Sequence, residues 1–178
     1  MSQHTITRRL EIDAAHRIPG HHGKCRHLHG HRYVVEATCA QEHLQSTGAQ
    51  QGMIIDFAFL KEEMLELIDA PCDHGLILSV ADEALLTLFA PGDPEQARAW
   101  FESLRAEVAN AGFCATVEPR LGGRLYVIPD PPTAEVLARH WFERLAPRVG
   151  ARSDQAARLT AVTVWETPNC RACYEGMD

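Results

Sequence analysis

Residues 6–40 read ITRRLEIDAAHRIPGHHGKCRHLHGHRYVVEATCA. Up to His16 the apolar and polar residues roughly alternate, which is the period of a β-strand. Proline and glycine then break the pattern, and a run rich in β-branched and aromatic residues favours a second strand over residues 31–40. We therefore predict two strands joined by a loop, with six of the ten histidines of the chain between His16 and His31.

Outside this stretch, two segments have apolar residues at the spacing of an amphipathic helix. Asp56 is a suitable N-cap for the first segment, which Pro71 is expected to end. Thr133 is a suitable N-cap for the second segment, which Pro147 is expected to close. The sequence therefore predicts two helices of ordinary length.

Residues 81–129 contain sequence patterns that predict a further helix and a further hairpin. A helix is predicted to start after Asp93-Pro94 and to end at Gly112, because proline suits the first turn and glycine the position after the last. A hairpin is predicted from residues 113–117 and 124–128, which flank two glycines. We interpret this stretch as an insertion.

Two short strands, over residues 159–166 and 171–175, are predicted to end the chain around a Thr-Pro-Asn turn. Without the insertion, the element order is β-β-α-α-β-β. This order predicts an α+β fold with an antiparallel sheet of two β-hairpin units and two helices on one face. The length of 178 residues fits a single domain over the whole chain.

Composition narrows the class of protein. The formal net charge of −7 disfavours nucleic acid as a partner, and no run of eighteen apolar residues exists to enter a membrane. The six cysteines are scattered and no signal peptide is visible, so we expect reduced thiols and a cytoplasmic protein. Residues 8–32 nevertheless carry six basic against two acidic residues, a local excess that would suit a small anionic ligand.

Three histidines have the spacing of a metal site. His29 and His31 are two residues apart at the start of a predicted strand, so their side chains project from the same face. His16, at the end of the preceding strand, can supply a third ligand if the two strands pair. Three imidazoles with an open fourth position make a catalytic zinc site, and Gly30 would permit close backbone approach. The alternative is a His-rich loop exposed to water.

Cys25 lies between Lys24 and Arg26, four residues before His29. Neighbouring cations and a metal lower the pKa of a thiol, which would make Cys25 a base or nucleophile. It could equally be a fourth metal ligand or an ordinary loop cysteine. The spacing of Cys170 and Cys173 is found in redox and metal sites, but the pair has no second pair to join, and we expect it to be structural.

Two further positions have acid–base character. Asp73-His74 follows a predicted helix end, where loops commonly display catalytic residues, although the dipeptide is a common one. Glu166 closes an otherwise apolar strand. Its carboxylate could hold the N–H edge of a ligand with two hydrogen bonds, or it could simply be exposed at the strand end.

Six motifs occur in an order that resembles the 6-pyruvoyltetrahydropterin synthase and 6-carboxytetrahydropterin synthase (QueD) family. They are Asp13-Ala-Ala-His16-Arg, Cys25-x3-His29-Gly-His31, Gly52-Met-Ile-Ile-Asp56-Phe, Asp73-His74, Pro132-Thr-Ala-Glu135 and Trp165-Glu166-Thr167. The resemblance covers the chain except for the stretch 81–129. It implies the tunnelling fold, in which subunits join their sheets into trimers that stack as hexamers.

The resemblance also assigns roles to individual residues. It implies Zn²⁺ held by His16, His29 and His31, with Cys25 as the catalytic base. The remaining positions are implied to serve the acid–base relay (Asp73, His74 and Glu166) and pterin binding (Glu166, Thr133 and Glu135).

The activity that the resemblance implies is that of a zinc-dependent lyase acting on 7,8-dihydroneopterin triphosphate. In the carboxy branch, triphosphate and acetaldehyde leave and 6-carboxy-5,6,7,8-tetrahydropterin is formed for queuosine and other 7-deazapurines. The pyruvoyl branch eliminates triphosphate and keeps all three side-chain carbons. The three-residue gap between Cys25 and His29 resembles that of the bacterial QueD type, whereas the animal pyruvoyl type has a longer gap, so the resemblance favours the carboxy branch. A zinc- and pterin-binding module without turnover is the competing class.

Overall fold

The computed structural model describes residues 3–154 and 157–176. Within these residues seven strands form one mixed sheet of order β4-β5-β3-β1-β2-β6-β7. In chain order the strands are β1 (His4–His16), β2 (His29–Gln41), β3 (Gly75–Ser79), β4 (Cys114–Val117), β5 (Arg124–Ile128), β6 (Arg158–Thr167) and β7 (Cys170–Glu175). The helices are α1 (Phe57–Met64), α2 (Ala70–Cys72), α3 (Glu83–Phe89), α4 (Pro94–Ala111) and α5 (Ala134–Arg152).

The chain divides into two compact units. The first unit comprises residues 1–12, 32–70 and 134–178, and the second comprises residues 13–31 and 71–133. Strands β1 and β2 each contribute residues to both units. The end of β1 and the start of β2, which carry the histidines singled out above, both belong to the second unit.

In the first unit, β6 pairs antiparallel with both β2 and β7, and α5 packs against β6 and β7. Helix α5 buries one stripe of apolar side chains, among them Leu137, Trp141 and Leu145. Helix α1 begins as predicted, because the Asp56 carboxylate accepts a hydrogen bond from the backbone N–H of Ala58 at 2.8 Å.

The prediction that Pro147 closes a helix is wrong, whereas the helix expected to end at Pro71 ends one residue later, at Cys72. Helix α1 continues through a π turn (Leu65–Asp69) into α2, which contains Pro71. In that turn the Ala70 N–H bonds to the Leu65 carbonyl five residues back, and this widening accommodates the proline ring. Pro147 lies inside α5, where fully buried apolar residues on either side of it hold the helix together.

In the second unit, the predicted helix and hairpin of the stretch 81–129 are confirmed. Asp93 caps α4 through the N–H groups of Glu95 and Gln96, and Gly112 ends it in the left-handed region at φ 79°. Strands β4 and β5 pair antiparallel, and α4 packs against both. The core of this unit is formed by side chains of β3, β5, α3 and α4, including Leu78, Leu86, Leu104, Val108 and Val127.

The predicted α+β class is confirmed, but the sheet is mixed rather than antiparallel. Strand β3, which the sequence pattern did not reveal, runs parallel to β1 and to β5. Parallel neighbours need a long crossover connection, and α3 and α4 lie in the connection from β3 to β5. Strand β3 therefore places Gly75 beside Ala14 and Ile77 beside His16.

Candidate metal centre and acid–base pair

Three imidazoles converge in the second unit. One ligand atom of each of His16, His29 and His31 lies within 4.8 Å of the other two. The ring centroids are 4.6 Å apart for His16 and His29, 5.1 Å for His16 and His31, and 4.9 Å for His29 and His31. The structure therefore brings together the three residues that the strand pattern predicts as a metal site.

The backbone explains this convergence. His16 is the last residue of β1 and is buried, whereas His29 and His31 are half-buried at the start of β2. A Cβ atom on Gly30 would lie 3.2 Å from the Ala14 carbonyl oxygen, which is tighter than an ordinary contact. Glycine between the two β2 histidines therefore permits the close approach to β1, as the sequence predicts.

Two of the rings are held in a defined tautomer. Nδ1 of His16 lies 2.8 Å from the Pro132 carbonyl oxygen, and Nδ1 of His29 lies 2.8 Å from the His27 carbonyl oxygen. A carbonyl only accepts hydrogen bonds, so each Nδ1 carries the proton and donates it. This leaves Nε2 with the lone pair that a metal ion needs, which is the usual arrangement around ligating histidines.

The electrostatics favour the neutral form of His16 and of His31. Burial lowers the pKa of His16 to about 4, although the bond to Pro132 acts in the opposite direction, and His29 and His31 lower it further. Burial and the neighbouring His29 also lower the pKa of His31. Neutral imidazoles with aligned lone pairs are the donor set that zinc prefers, so the residues present fit this metal.

Cys25 lies in a short 3₁₀ turn (Lys24–Arg26) of the same unit and is half-buried. Its carbonyl oxygen accepts a hydrogen bond from the Ile18 N–H at 2.8 Å, which closes the loop between the strands. Among the residues that the structure describes, the converging ligand group contains the three histidines without this cysteine. The role of Cys25 as a base stays a prediction.

Asp73 and His74 form a hydrogen-bonded pair. One carboxylate oxygen of Asp73 accepts from Nδ1 of His74 at 2.7 Å, and the other accepts from the Asp13 N–H at 2.9 Å. Burial alone would raise the pKa of Asp73, but the hydrogen bonds from Asp13 and His74 outweigh it and lower the pKa. Asp73 is thus a fixed carboxylate that orients the His74 ring.

The backbone of His74 is also unusual. Its φ of 54° lies in the left-handed region, which costs a non-glycine residue about 1–3 kcal/mol and is most often kept at functional positions. The His74 N–H donates to the Asp13 carbonyl at 2.8 Å, which holds this conformation beside β1. The side chain is 78% exposed, so its Nε2 can reach a molecule that docks there.

The remaining predicted residues are distributed over the two units. Glu166 lies in the first unit, half-buried, at an irregularity of β6 where the pairing with β7 shifts between Trp165 and Thr167. Such bulges commonly re-aim a side chain. Thr133 ends the second unit and Glu135 is exposed in the first turn of α5. Their proposed contacts with a pterin stay predictions.

Some supporting residues could not be found from the sequence. The Pro132 carbonyl orients His16, the Asp13 backbone holds Asp73, and Nη1 of Arg124 donates to the Asp73 carbonyl at 3.3 Å. The only indication in the sequence was indirect, because Asp13 and Pro132 lie within two of the six motifs that resemble the family. Backbone groups carry no residue-type signature, so their roles emerge only from the fold.

Comparison with known proteins identifies the family. A family model described as 6-pyruvoyl tetrahydropterin synthase matches residues 5–177. The chain therefore belongs to the 6-pyruvoyl tetrahydropterin synthase family.

Among its described residues no helix combines the length and hydropathy needed to cross a membrane.

Two curated relatives share the name 6-carboxy-5,6,7,8-tetrahydropterin synthase. A protein of Rickettsia bellii named 6-carboxy-5,6,7,8-tetrahydropterin synthase is 32% identical over 164 residues, covering 92% of this chain and 94% of the relative. A protein of the same name from Haemophilus influenzae is 28% identical, covering 96% of this chain and 97% of the relative. The similarity thus extends over nearly the whole of both chains.

Solved structures confirm the predicted tunnelling fold. An uncharacterized protein of Wolinella succinogenes aligns with a TM-score of 0.72 at 22% identity, covering 99% of this chain and 100% of the other. The 6-pyruvoyl tetrahydropterin synthase of Caenorhabditis elegans aligns with a TM-score of 0.58 at 23% identity, covering 99% and 98%. At these identities the likeness defines the fold alone.

Proposed function

We propose that this protein is a zinc-dependent lyase that converts 7,8-dihydroneopterin triphosphate to 6-carboxy-5,6,7,8-tetrahydropterin, with loss of triphosphate and acetaldehyde. The observation that carries the proposal is the convergence of His16, His29 and His31, with two rings held by backbone carbonyls. The names of the curated relatives support the carboxy branch. The product would enter queuosine or other 7-deazapurine biosynthesis.

His16, His29 and His31 would hold the zinc ion, with His16 and His29 offering their Nε2 atoms. When bound, zinc supplies Lewis-acid chemistry that polarises oxygen atoms of a substrate side chain. The chain itself contributes neutral ligands in a fixed orientation, because burial keeps the pKa of His16 low and the Pro132 carbonyl fixes its ring.

Proton transfer is assigned to Cys25, Asp73 and His74, and Glu166 is also placed in this relay. Cys25 would remove a proton from the substrate side chain as its thiolate. The Asp73 carboxylate keeps the proton of His74 on Nδ1, so the exposed Nε2 can accept a proton or, once the ring is protonated, return one. The hydrogen bond from Asp13 prevents the Asp73 side chain from turning away.

Substrate recognition is assigned to Glu166, with Thr133 and Glu135. A carboxylate can accept two N–H groups from the edge of a pterin ring, as it would from a guanidinium. The basic excess in residues 8–32 would attract the triphosphate. We further propose that the protein acts as a homo-oligomer, which light scattering during size-exclusion chromatography would test.

Turnover by the zinc-loaded protein tests the function. Incubation with dihydroneopterin triphosphate is expected to release acetaldehyde together with 6-carboxy-5,6,7,8-tetrahydropterin, both measured by liquid chromatography and mass spectrometry. A pyruvoyl product without acetaldehyde would move the protein to the other branch. Zinc and pterin binding without any turnover would instead support a binding module.

Single variants test the assigned roles. Cys25→Ala is expected to abolish turnover and to leave about one zinc ion per chain, whereas loss of zinc would make the thiol a ligand. His29→Ala is expected to lose both zinc and turnover. His22→Ala is the matched control, because this exposed histidine of the same loop lies outside the converging group.

A further inference from the structure

Arg17, the residue after His16, forms a largely buried ion pair with Asp82. Nε of Arg17 donates to Oδ2 of Asp82 at 2.6 Å, and Nη2 of Arg17 donates to Oδ1. The guanidinium and the carboxylate thus face each other with two parallel hydrogen bonds, the strongest arrangement for this pair. The Asp82 side chain is 2% exposed and that of Arg17 is 23% exposed.

Asp82 is a fixed point in the second unit. Its backbone N–H donates to the Ser79 carbonyl at 3.0 Å, in a tight turn directly after β3. Its carboxylate also caps α3 by accepting the Leu85 N–H at 3.2 Å. Ser79 is itself anchored, because its hydroxyl donates to the Pro129 carbonyl at 3.1 Å. The carboxylate therefore has little freedom to follow a moving partner.

His16, by contrast, is at the end of a strand. It is the final residue of β1 and forms the last register pair with β3, opposite Ile77. Strand ends tend to fray unless something holds them. The ring of His16 is held by the Pro132 carbonyl, and the backbone just beyond it is held through the Arg17 side chain. The ligand thus lies between two anchors.

We propose that Arg17 and Asp82 are positioning residues of the metal centre. The ion pair fixes the end of β1 so that Nε2 of His16 stays within reach of the ion that His29 and His31 bind. This inference rests on the proposed metal site and extends it, since it gives α3, in the stretch 81–129, a role in metal binding. The competing interpretation is an ion pair that stabilises the fold without affecting the metal.

Asp82→Asn separates the two interpretations. The substitution keeps the shape and one acceptor oxygen but removes the charge that holds Arg17. The zinc dissociation constant, measured by chelator competition well below the melting temperature, is expected to rise about tenfold, as for other residues that support metal ligands. The visible spectrum of the cobalt-substituted protein is expected to change as well, because it reports the ligand geometry directly.

Asp93→Asn provides the matched control. Asp93 also caps a helix of the second unit, by accepting the N–H groups of Glu95 and Gln96. This variant is expected to keep the wild-type zinc affinity and cobalt spectrum. The proposal is overturned if Asp82→Asn lowers the melting temperature yet binds zinc within twofold of wild type, or if Asp93→Asn weakens zinc equally.

Arg17→Lys covers the case in which Asp82→Asn does not fold. Lysine keeps the positive charge and loses the planar fork, so a partial loss of zinc affinity is expected at a near wild-type melting temperature. An unchanged affinity in this variant would also overturn the proposal. If the wild-type protein itself bound no zinc, the proposed function would be refuted. Unchanged zinc affinity in the variants would refute only the role of the ion pair.

Discussion

At the scale of single residues, the candidate metal centre depends on the positions of imidazole protons and backbone oxygen atoms. The Nδ1–H groups of His16 and His29 each donate a hydrogen bond to a backbone carbonyl, so both rings present Nε2. The alternation of residues in β1 and β2 predicts which histidines share a face. This alternation does not predict the hydrogen bond from His16 to the Pro132 carbonyl, because a residue 116 positions away leaves no pattern in the sequence near His16.

Gly30→Val tests the close approach of the two strands at the ligands. The added Cβ atom would press on the Ala14 carbonyl oxygen at 3.2 Å, so β1 and β2 must move apart. We expect a loss of about 1–3 kcal/mol in the free energy of unfolding, measured with urea, together with weaker zinc binding. Gly20→Val is the control, since a Cβ atom there meets nothing within 4 Å. Equal effects of the two substitutions would contradict the prediction.

Asp73→Asn tests the acid–base pair. The amide can no longer act as the charged partner of His74, so proton transfer is expected to slow by about 10²- to 10⁴-fold in kcat. Zinc content should stay at the wild-type level, because Asp73 lies outside the converging ligand group. Steady-state kinetics and metal analysis check both statements, and a kcat within threefold of wild type would exclude the assigned role.

At the scale of secondary-structure elements, capping residues predicted a helix boundary correctly where the boundary depends only on neighbouring residues. The boundaries of α4 follow from Asp93 and Gly112, both of which act on their immediate neighbours. The segment with Pro71 ends one residue after the proline, at Cys72. The predicted end at Pro147 failed because burial of the flanking residues holds α5 together. Strand β3 and helix α3 were missed. Strand β3 is a short continuous apolar run without alternation, which periodicity cannot assign, and it lacks the glycine turn that revealed β4 and β5. Helix α3 spans only seven residues, which is too short for a clear helical period.

The hairpin of β4 and β5 has its own anchor in Glu118. Its buried carboxylate accepts backbone N–H groups from Arg120 at 2.7 Å, Leu121 at 2.8 Å and Gly123 at 2.8 Å. Burial alone would raise the pKa of Glu118, but these hydrogen bonds, with the charge of Arg120, outweigh it and lower the pKa. The charged form is therefore the one that stabilises the hairpin.

Glu118→Gln is expected to lower the melting temperature by a few degrees at pH 7. A lowered folded-state pKa means that the stabilisation is present above the unfolded pKa and is lost as the pH falls through the folded value. The difference between variant and wild type should therefore shrink as the pH is lowered from 7 to 3, followed by circular dichroism. Glu102→Gln, on the exposed face of α4, is the control. A difference independent of pH would refute the assigned cause.

At the scale of the whole molecule, metal binding is expected to stabilise the chain. Zinc at about 100 times its dissociation constant contributes about 2.7 kcal/mol if it binds the folded state alone. For a chain of this size that corresponds to a rise of roughly 5–10 °C in the melting temperature, which differential scanning calorimetry would measure. His29→Ala should show no rise, and His22→Ala should match wild type.

The location of this stabilisation is also predicted. All three histidines belong to the second unit, so zinc should slow amide hydrogen exchange most in residues 13–31 and 71–133. Mass spectrometry of the protein with and without zinc would locate the effect. An equal slowing of amide hydrogen exchange in both units would contradict the prediction that zinc stabilises mainly the second unit.

The sequence by itself determined the α+β class, the family and the three histidines, because period-two alternation, capping residues and ordered motifs are all local signals. The tertiary structure alone decided the mixed sheet, the tautomers of His16 and His29, and the contact of Arg17 with Asp82. These depend on atoms that are distant along the chain, and many of them are backbone atoms common to every residue. Only folding brings such atoms within hydrogen-bonding distance.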